Sequence, residues 1–221
     1  MVTDDYWQDI ESQMFMSGLE EDRVRYTDHP AYKFRLSEEV DFKYLKEGDL
    51  LKIGDYSLEV IETPGHTTGQ IGLYEREHKL YFSGDHVLDI ITPNIAFWSF
   101  ESDDLQTYIN NLEKIIPMEI DYIFPAHRSI MRDHPRRVKE IIGHHYERLD
   151  EVYAILSKNP MTVRDVTAKM TWRIRANSWE DFPPAQKWFA SGEALAHLEY
   201  FYNHGKLNRE CRDGVLYYSL K

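Results

Sequence analysis

Three short apolar runs in this chain end the same way, and that recurrence constrains the fold most. YSLEVIE runs into Thr63-Pro64-Gly65 and then His66; KLYFS runs into Gly84 and then Asp85; YIF runs into Pro125-Ala126 and then His127. Each run has the length and composition of a strand, and each is stopped by glycine or proline. Each stop is followed at once by a side chain that ligates metals. Strand ends project side chains from a rigid frame to one edge of a sheet. A fold that uses all three must therefore gather His66, Asp85 and His127 at such an edge. Gly65 and Gly84 permit sharp turns there, because glycine carries no Cβ.

The rest of the chain supplies the layers around these strands. Residues 3–18 read as an amphipathic helix, with Thr3 and Asp4 as capping types and Trp7, Ile10 and Met14 at helical spacing. Asp4, Asp5, Asp9 and Glu11 suit the positive end of its dipole. This helix is expected to pack on the body, a mobile lid being the alternative. Residues 20–47 are charged and irregular. LLKIGDYSLEVIE reads as a hairpin over Gly54-Asp55, and IGLY with KLYFS as a second around EREH. Ser102 and Asp103 cap a helix, DDLQTYINNLEKII, with Leu105, Tyr108, Ile109, Leu112 and Ile116 on one face. DYIFPAH is a short strand. Asp133 and Pro135 open a helix to about Leu156, with Val138, Ile141, Ile142, His145, Leu149, Val152 and Leu156 inward.

Strand pairs followed by helix, strand and helix make a layered α/β body. Asn159-Pro160 punctuates a boundary, dividing the chain into domains 1–158 and 159–221. In the second part, Thr162 begins a helix with Asp165 placed for a capping box. Residues 175–187 are a polar connection, SGEALAHLEYFYNHG is a helix ending at Gly205, and KLNRECRDGVLYYS is a hairpin over Asp213-Gly214. Two helices and a β-hairpin form a small winged-helix-like pattern.

Charge narrows the function classes. The 221 residues carry a net −12. Residues 160–221 hold nine Lys/Arg and seven Asp/Glu, a net +2, which leaves −14 on residues 1–159. Nucleic-acid binding needs a basic face, so nucleic acid is not the expected partner. In the tail, EALAHLEYFYNH has two Glu and no Lys or Arg, and Glu210 and Asp213 offset the arginines of NRECRDG. This tail reads as a docking or substrate-wall element. A single cysteine, Cys211, excludes an internal disulfide and a thiolate zinc knuckle. MVTDDYWQDIESQ has no signal-peptide pattern and no apolar run reaches membrane-spanning length, so a cytoplasmic protein with no membrane partner is expected.

Two imidazoles and a carboxylate suit zinc or another borderline divalent ion. The two oxygens of Asp85 suit a bridge between ions ~3.5–4 Å apart that share a hydroxide. TPGHTTGQ, FSGDHVL and FPAHRSI resemble the third, fourth and fifth metal motifs of the metallo-β-lactamase superfamily. GDHVLDIITPNI, GHHYERLDEV and the helix-helix-hairpin tail resemble its branch with a C-terminal winged-helix domain, near the mitochondrial ribonuclease-like lactamase proteins and the glyoxalase II-like enzymes. The resemblance runs from about Tyr6 to Tyr218. It implies part of an αβ/βα sandwich followed by a winged-helix domain. It implies two zinc ions, with His66 on the first, Asp85 bridging and catalytic, and His127 on the second. It implies a hydroxide attacking a thioester, ester or lactone carbonyl of a small-molecule substrate.

The family's His-x-His-x-Asp-His motif supplies four further ligands, and no two of the ten histidines here stand two apart. Three ligands cannot close two tetrahedral sites. The expectation is a member shortened before that motif, inactive as an isolated chain, with an uncovered sheet that favours a homodimer. His29 and His86 are the loop histidines considered as stand-ins. His144 and His145 point ~100° apart on a helix, so they cannot grip one ion together; one is expected in the core. From HVLDIITPNIAFW, His86, Asn94, Phe97 and Trp98 are candidates to line a substrate pocket, core being the alternative. Arg128, Arg132, Arg136 and Arg137 are read as a solvated helix start in preference to an anion clamp, and His197 as tail core. The competing functions are a non-catalytic remnant or binding module acting through the tail or by pairing with another chain, and an endoribonuclease-like enzyme, which the −14 body argues against.

Overall fold

Turn chemistry decides where the strands of the larger sheet begin and end. In a computed structural model, which describes residues 4–35 and 40–221, Gly54 and Asp55 turn β1 (Leu50–Ile53) into β2 (Tyr56–Glu62). The two pair antiparallel, with Ile53 opposite Tyr56. β3 (Ile71–Glu75) and β4 (Leu80–Gly84) form the second hairpin. Its turn is fastened by the Glu75 carboxylate, which accepts from the backbone N–H of Glu77 and of His78.

After β4 the chain crosses through α2 (Asp104–Ile115) and returns as β5 (Tyr122–Pro125), parallel to β4. Parallel neighbours require such a crossover, whereas the hairpins do not. The order is β1-β2-β3-β4-β5. The Asp103 carboxylate caps α2 by accepting from Gln106 N–H at 3.0 Å. Of the expected face of α2, Leu105, Tyr108, Ile109 and Leu112 are buried, while Ile116 is part-exposed and Ile115 is buried in its place. Tyr74, Tyr81 and Ile123 are buried from the sheet. The longest helix, α3 (His134–Ile155), opens with His134, whose Nε2–H donates to the Ile115 carbonyl at the end of α2. On the sheet, Ile53, Tyr56, Leu58, Leu73 and Phe82 line an open apolar groove, and Phe82 stacks on Phe124.

By contact density the chain forms two compact units, residues 43–148 and residues up to 42 together with 149–221. In the second unit, α1 (Asp4–Met16) lays Trp7, Ile10 and Met14 into a core with Leu19, Trp179 and Trp188. The helix is thus packed, as expected, but its core partners include Trp179 and Trp188 of the tail, where the expectation was the body. Thr3, a suggested cap, lies outside the described residues. Residues 20–35 contain two short 3-10 turns, Tyr26–Asp28 and Pro30–Phe34. A buried polar knot ties the unit together: the Asp22 carboxylate accepts from Lys187 at 2.6 Å, Arg164 at 2.6 Å and Trp179 Nε1 at 2.9 Å.

Thr162 caps α4 (Val163–Lys169) in the expected capping box with Asp165. α5 (Pro184–Asn203) differs from expectation. It starts at Pro184, inside the stretch read as a connection, because proline is well suited to the first helical position where its missing N–H costs nothing. β7 (Leu207–Arg212) and β8 (Val215–Leu220) form the hairpin over Asp213 and Gly214, both at positive φ. A two-residue strand, β6 (Met161–Thr162), which the sequence did not suggest, adds to β8, giving the order β6-β8-β7.

Candidate metal centre

Three loops leave the carboxyl ends of β2, β4 and β5, and α2 fastens the first two. At Gly65, φ is +135°, and an added Cβ would lie 2.5 Å from Tyr108 Cβ and 2.6 Å from its Cα. Only glycine allows the loop this close to the helix. One turn further along α2, Asn111 Nδ2 donates to the Pro64 carbonyl at 2.9 Å. The Tyr108 hydroxyl donates to the His86 carbonyl at 2.7 Å, gripping the residue after Asp85. The third loop is tied to the second, since Ala126 N–H donates to the Gly84 carbonyl at 2.9 Å. His66, Asp85 and His127 each follow one of these fixed points.

The structure brings all three together. His66 Nε2 lies 3.8 Å from Asp85 Oδ2, and His127 Nε2 lies 3.4 Å from Asp85 Oδ1. Each carboxylate oxygen thus faces a different imidazole. Two donors on a tetrahedral ion with bonds near 2.0–2.1 Å stand ~3.4 Å apart, the spacing found for His127 and Asp85. Asp85 Oδ1 is buried and, among the described residues, has no hydrogen-bond partner. An unsatisfied buried acceptor costs ~1–3 kcal/mol, so this oxygen calls for a cation. The donor set and its spacing fit a divalent metal.

The tautomer of His66 is settled by its other nitrogen. Nδ1 lies 2.7 Å from the Asn94 carbonyl, which can only accept, so Nδ1 carries a proton and, in the neutral ring, Nε2 presents its lone pair. The Trp98 indole donates to the His66 carbonyl at 3.2 Å, and Trp98 N–H donates to Asp104. Asn94 therefore fixes the imidazole of His66, and Trp98 its backbone. His86 is fully buried, edge-on to Tyr108, and burial with smaller contributions from Lys114 and His66 pushes its pKa down to about 3. Phe97 is buried against Phe100. In this conformation neither His86 nor Phe97 presents a surface to an incoming substrate. His29 sits edge-on to Trp188 in the other unit.

The arginines after His127 disperse. Arg132 lies over the Tyr122 ring, Arg136 pairs with Asp133 and Glu140, and Arg137 reaches the carbonyls of Leu88 and Ile91. His145 is buried edge-on to Tyr108, and His197 is buried in α5 with Nδ1–H donating to the Glu193 carbonyl. A separate trio, Glu75, Glu77 and His78, brings one donor atom each within 4.8 Å of one another. Their carboxylate at the centre, Glu75, is already engaged by the hairpin turn. Its pKa is lowered, chiefly by the backbone N–H of His78. Asn111 and the hydroxyl of Tyr108 were not singled out from sequence. Tyr108 occupies an apolar helix face, so it reads as core, and nothing in a lone Asn marks it as a loop anchor.

The family model of the metallo-beta-lactamase superfamily matches residues 8–127, and that of the metallo-beta-lactamase-like C-terminal domain matches residues 149–221. Among relatives, the beta-lactamase-like protein 2 homolog of Caenorhabditis elegans is 29% identical over 154 residues, covering 66% of this chain and 50% of that protein. The acyl-coenzyme A thioesterase MBLAC2 of Gallus gallus is 35% identical over 85 residues, 38% of this chain and 31% of that protein. Among solved structures, a beta-lactamase domain protein from Burkholderia ambifaria superposes with a TM-score of 0.77 at 29% identity, covering 92% of this chain and 57% of that one. The chain spans half the length or less of these two relatives.

Proposed function

We propose that this chain, which belongs to the metallo-beta-lactamase superfamily, carries the His66–Asp85–His127 part of a metal-dependent hydrolase site that acts on a thioester, ester or lactone carbonyl. One observation carries the reading: the Asp85 carboxylate stands between two imidazoles with a buried oxygen that no hydrogen bond from the described residues satisfies. His66, Asp85 and His127 would hold zinc, which favours nitrogen and oxygen donors of this kind. A divalent metal there supplies Lewis acidity and a water that ionises near neutral pH. The chain's own residues orient and exclude. Asn94 keeps His66 Nε2 turned to the site, Tyr108 and Asn111 fix the two loops, and buried His86 and Phe97 back them with apolar packing.

A thioester is the favoured substrate, supported by the name of the chicken relative, an acyl-coenzyme A thioesterase. Exposed Ile90, Ile91, Phe100 and Ile130 lie in the loops after Asp85 and His127 and suit an apolar acyl group. Asn94 and Trp98 remain the pocket candidates that are part-exposed. The single Cys211 supports a cytoplasmic location.

Three side chains are too few for two tetrahedral ions. We therefore read this chain alone as inactive, since a closed two-ion site needs ligands beyond these three. Residues 159–221, with α4, α5 and the three-stranded sheet, are read as a winged-helix-like domain that docks or walls the substrate. A second reading, a non-catalytic chain that pairs with a copy of itself, is favoured by the apolar groove of Ile53, Tyr56 and Phe82.

The test is zinc bound per chain in the wild type and in Asp85→Ala, measured by calorimetric titration and metal analysis, with hydrolysis of an acyl thioester followed in parallel. Zinc held by the wild type and weakened at least ~10-fold in the variant supports the site. Wild-type protein that holds no zinc, or equal binding by both, refutes it.

A further inference from the structure

Between β4 and α2 the chain runs from Asp85 to Asp103 without helix or strand. Backbone carbonyls in such a segment need partners from elsewhere. Here side chains supply them in sequence. Tyr108 donates to the His86 carbonyl, Ser83 Oγ to that of Val87 at 2.8 Å, and Arg137 Nε to that of Leu88 at 2.7 Å. Arg137 Nη2 then donates to the Ile91 carbonyl at 2.8 Å. Three residues later the Asn94 carbonyl accepts from His66 Nδ1. The middle of the loop is thus fastened by one guanidinium on the first turn of α3. That side chain is only 14% exposed, and its remaining nitrogen, Nη1, is held by Glu140 at 3.2 Å.

We infer that Arg137 is a positioning residue for His66: its planar fork holds the Leu88 and Ile91 carbonyls so that the Asn94 carbonyl meets the imidazole and turns Nε2 toward Asp85. The guanidinium suits this task because its donors are fixed in one plane and diverge. One edge spans two carbonyls while the other is braced on a carboxylate. A lysine ammonium is a compact charge on a flexible stem and cannot hold both carbonyls in the same way. The neighbouring Arg136 pairs with Asp133 and Glu140 instead. The consequence for catalysis rests on the reading of His66 as a metal ligand, but the orientation itself does not.

The experiment reads the imidazole directly, in metal-free protein. Long-range 1H–15N correlation at about pH 8, where an ordinary imidazole is neutral, distinguishes the two tautomers of His66. Wild type and Arg136→Gln are expected to show Nδ1–H. Arg137→Gln is expected to shift toward a mixture with Nε2–H, and Arg137→Lys to lie between. Zinc titration of the same proteins is expected to show a ~10–100-fold weaker affinity in Arg137→Gln, the usual effect of losing an outer partner. Folded Arg137→Gln that keeps the wild-type tautomer overturns the inference, even if its zinc affinity falls. A tautomer shift in protein that binds no zinc supports the positioning role and refutes the proposed metal site. Should Arg137→Gln not fold, Arg137→Lys, which keeps charge and stem, carries the same test.

Discussion

Replacing Gly65 with alanine tests how α2 sets the site. Its φ of +135° is a conformation that residues with a Cβ rarely adopt, and strain of this kind costs about 1–3 kcal/mol. The new methyl would also stand 2.5 Å from Tyr108 Cβ and 2.6 Å from Tyr108 Cα, where ordinary contact begins at 3.4 Å. These are backbone-anchored atoms, so no rotamer change relieves them. Loop or helix must retreat by about 0.9 Å, and overpacking of this sort costs about 1–3 kcal/mol more. The sum is about 2–6 kcal/mol. The same retreat pulls on the Asn111–Pro64 hydrogen bond and moves His66, the next residue. Metal constellations tolerate only about 0.5 Å, so zinc affinity should fall with stability, by about tenfold or more. Urea unfolding followed by circular dichroism gives the first quantity and zinc titration the second. Gly69→Ala is the control, because a Cβ there meets nothing within 4 Å. Gly65→Ala within about 0.5 kcal/mol of wild type, with unchanged zinc affinity, would refute the argument.

Removing the hydroxyl in Tyr108→Phe leaves the His86 carbonyl without its donor; a loss of about 1–3 kcal/mol in urea unfolding is expected. Asp22→Asn breaks the buried contacts to Lys187 and Arg164, which should cost about 3–5 kcal/mol at neutral pH. Burial alone would raise the Asp22 pKa, but Lys187 and Arg164 together bring it below the ordinary value. Its stabilisation is therefore full above the unfolded carboxylate value, about 3.9, and is lost as pH falls through the lower folded value. Stability measured from neutral to acid pH should show that loss in wild type and a flatter profile in the variant; parallel profiles would count against it. Thr162→Ala removes the cap of α4 and should lower stability by about 1 kcal/mol, an effect that Thr162→Ser should largely restore.

Much of this protein was legible without coordinates because the relevant physics is local. Glycine and proline at the end of an apolar run favour a stop, so the three strand ends and their ligand-type residues could be read from TPGH, SGDH and FPAH. Capping chemistry is equally local, which is why Asp103 and the Thr162–Asp165 box were found at their helix starts. The same local reading misled at Pro183-Pro184, since proline both breaks chains and begins helices. Only the packing beyond distinguishes the two, and α5 runs on with Trp188, Ala190 and Leu195 buried.

The sequence by itself determined which residues are fit to ligate and that each follows a strand. It also determined that no His-x-His accompanies them. Tertiary structure alone decided that the two oxygens of Asp85 face two different imidazoles, and that His86 turns into the core. It alone decided that Tyr108, Asn111 and Arg137 hold the loops. These are contacts across 22 to 49 positions of chain, made by a core tyrosine, a helical asparagine and a surface-type arginine. Residue type and spacing record what a side chain can bond; the partner is chosen only when strands and helices pack and bring distant carbonyls within reach.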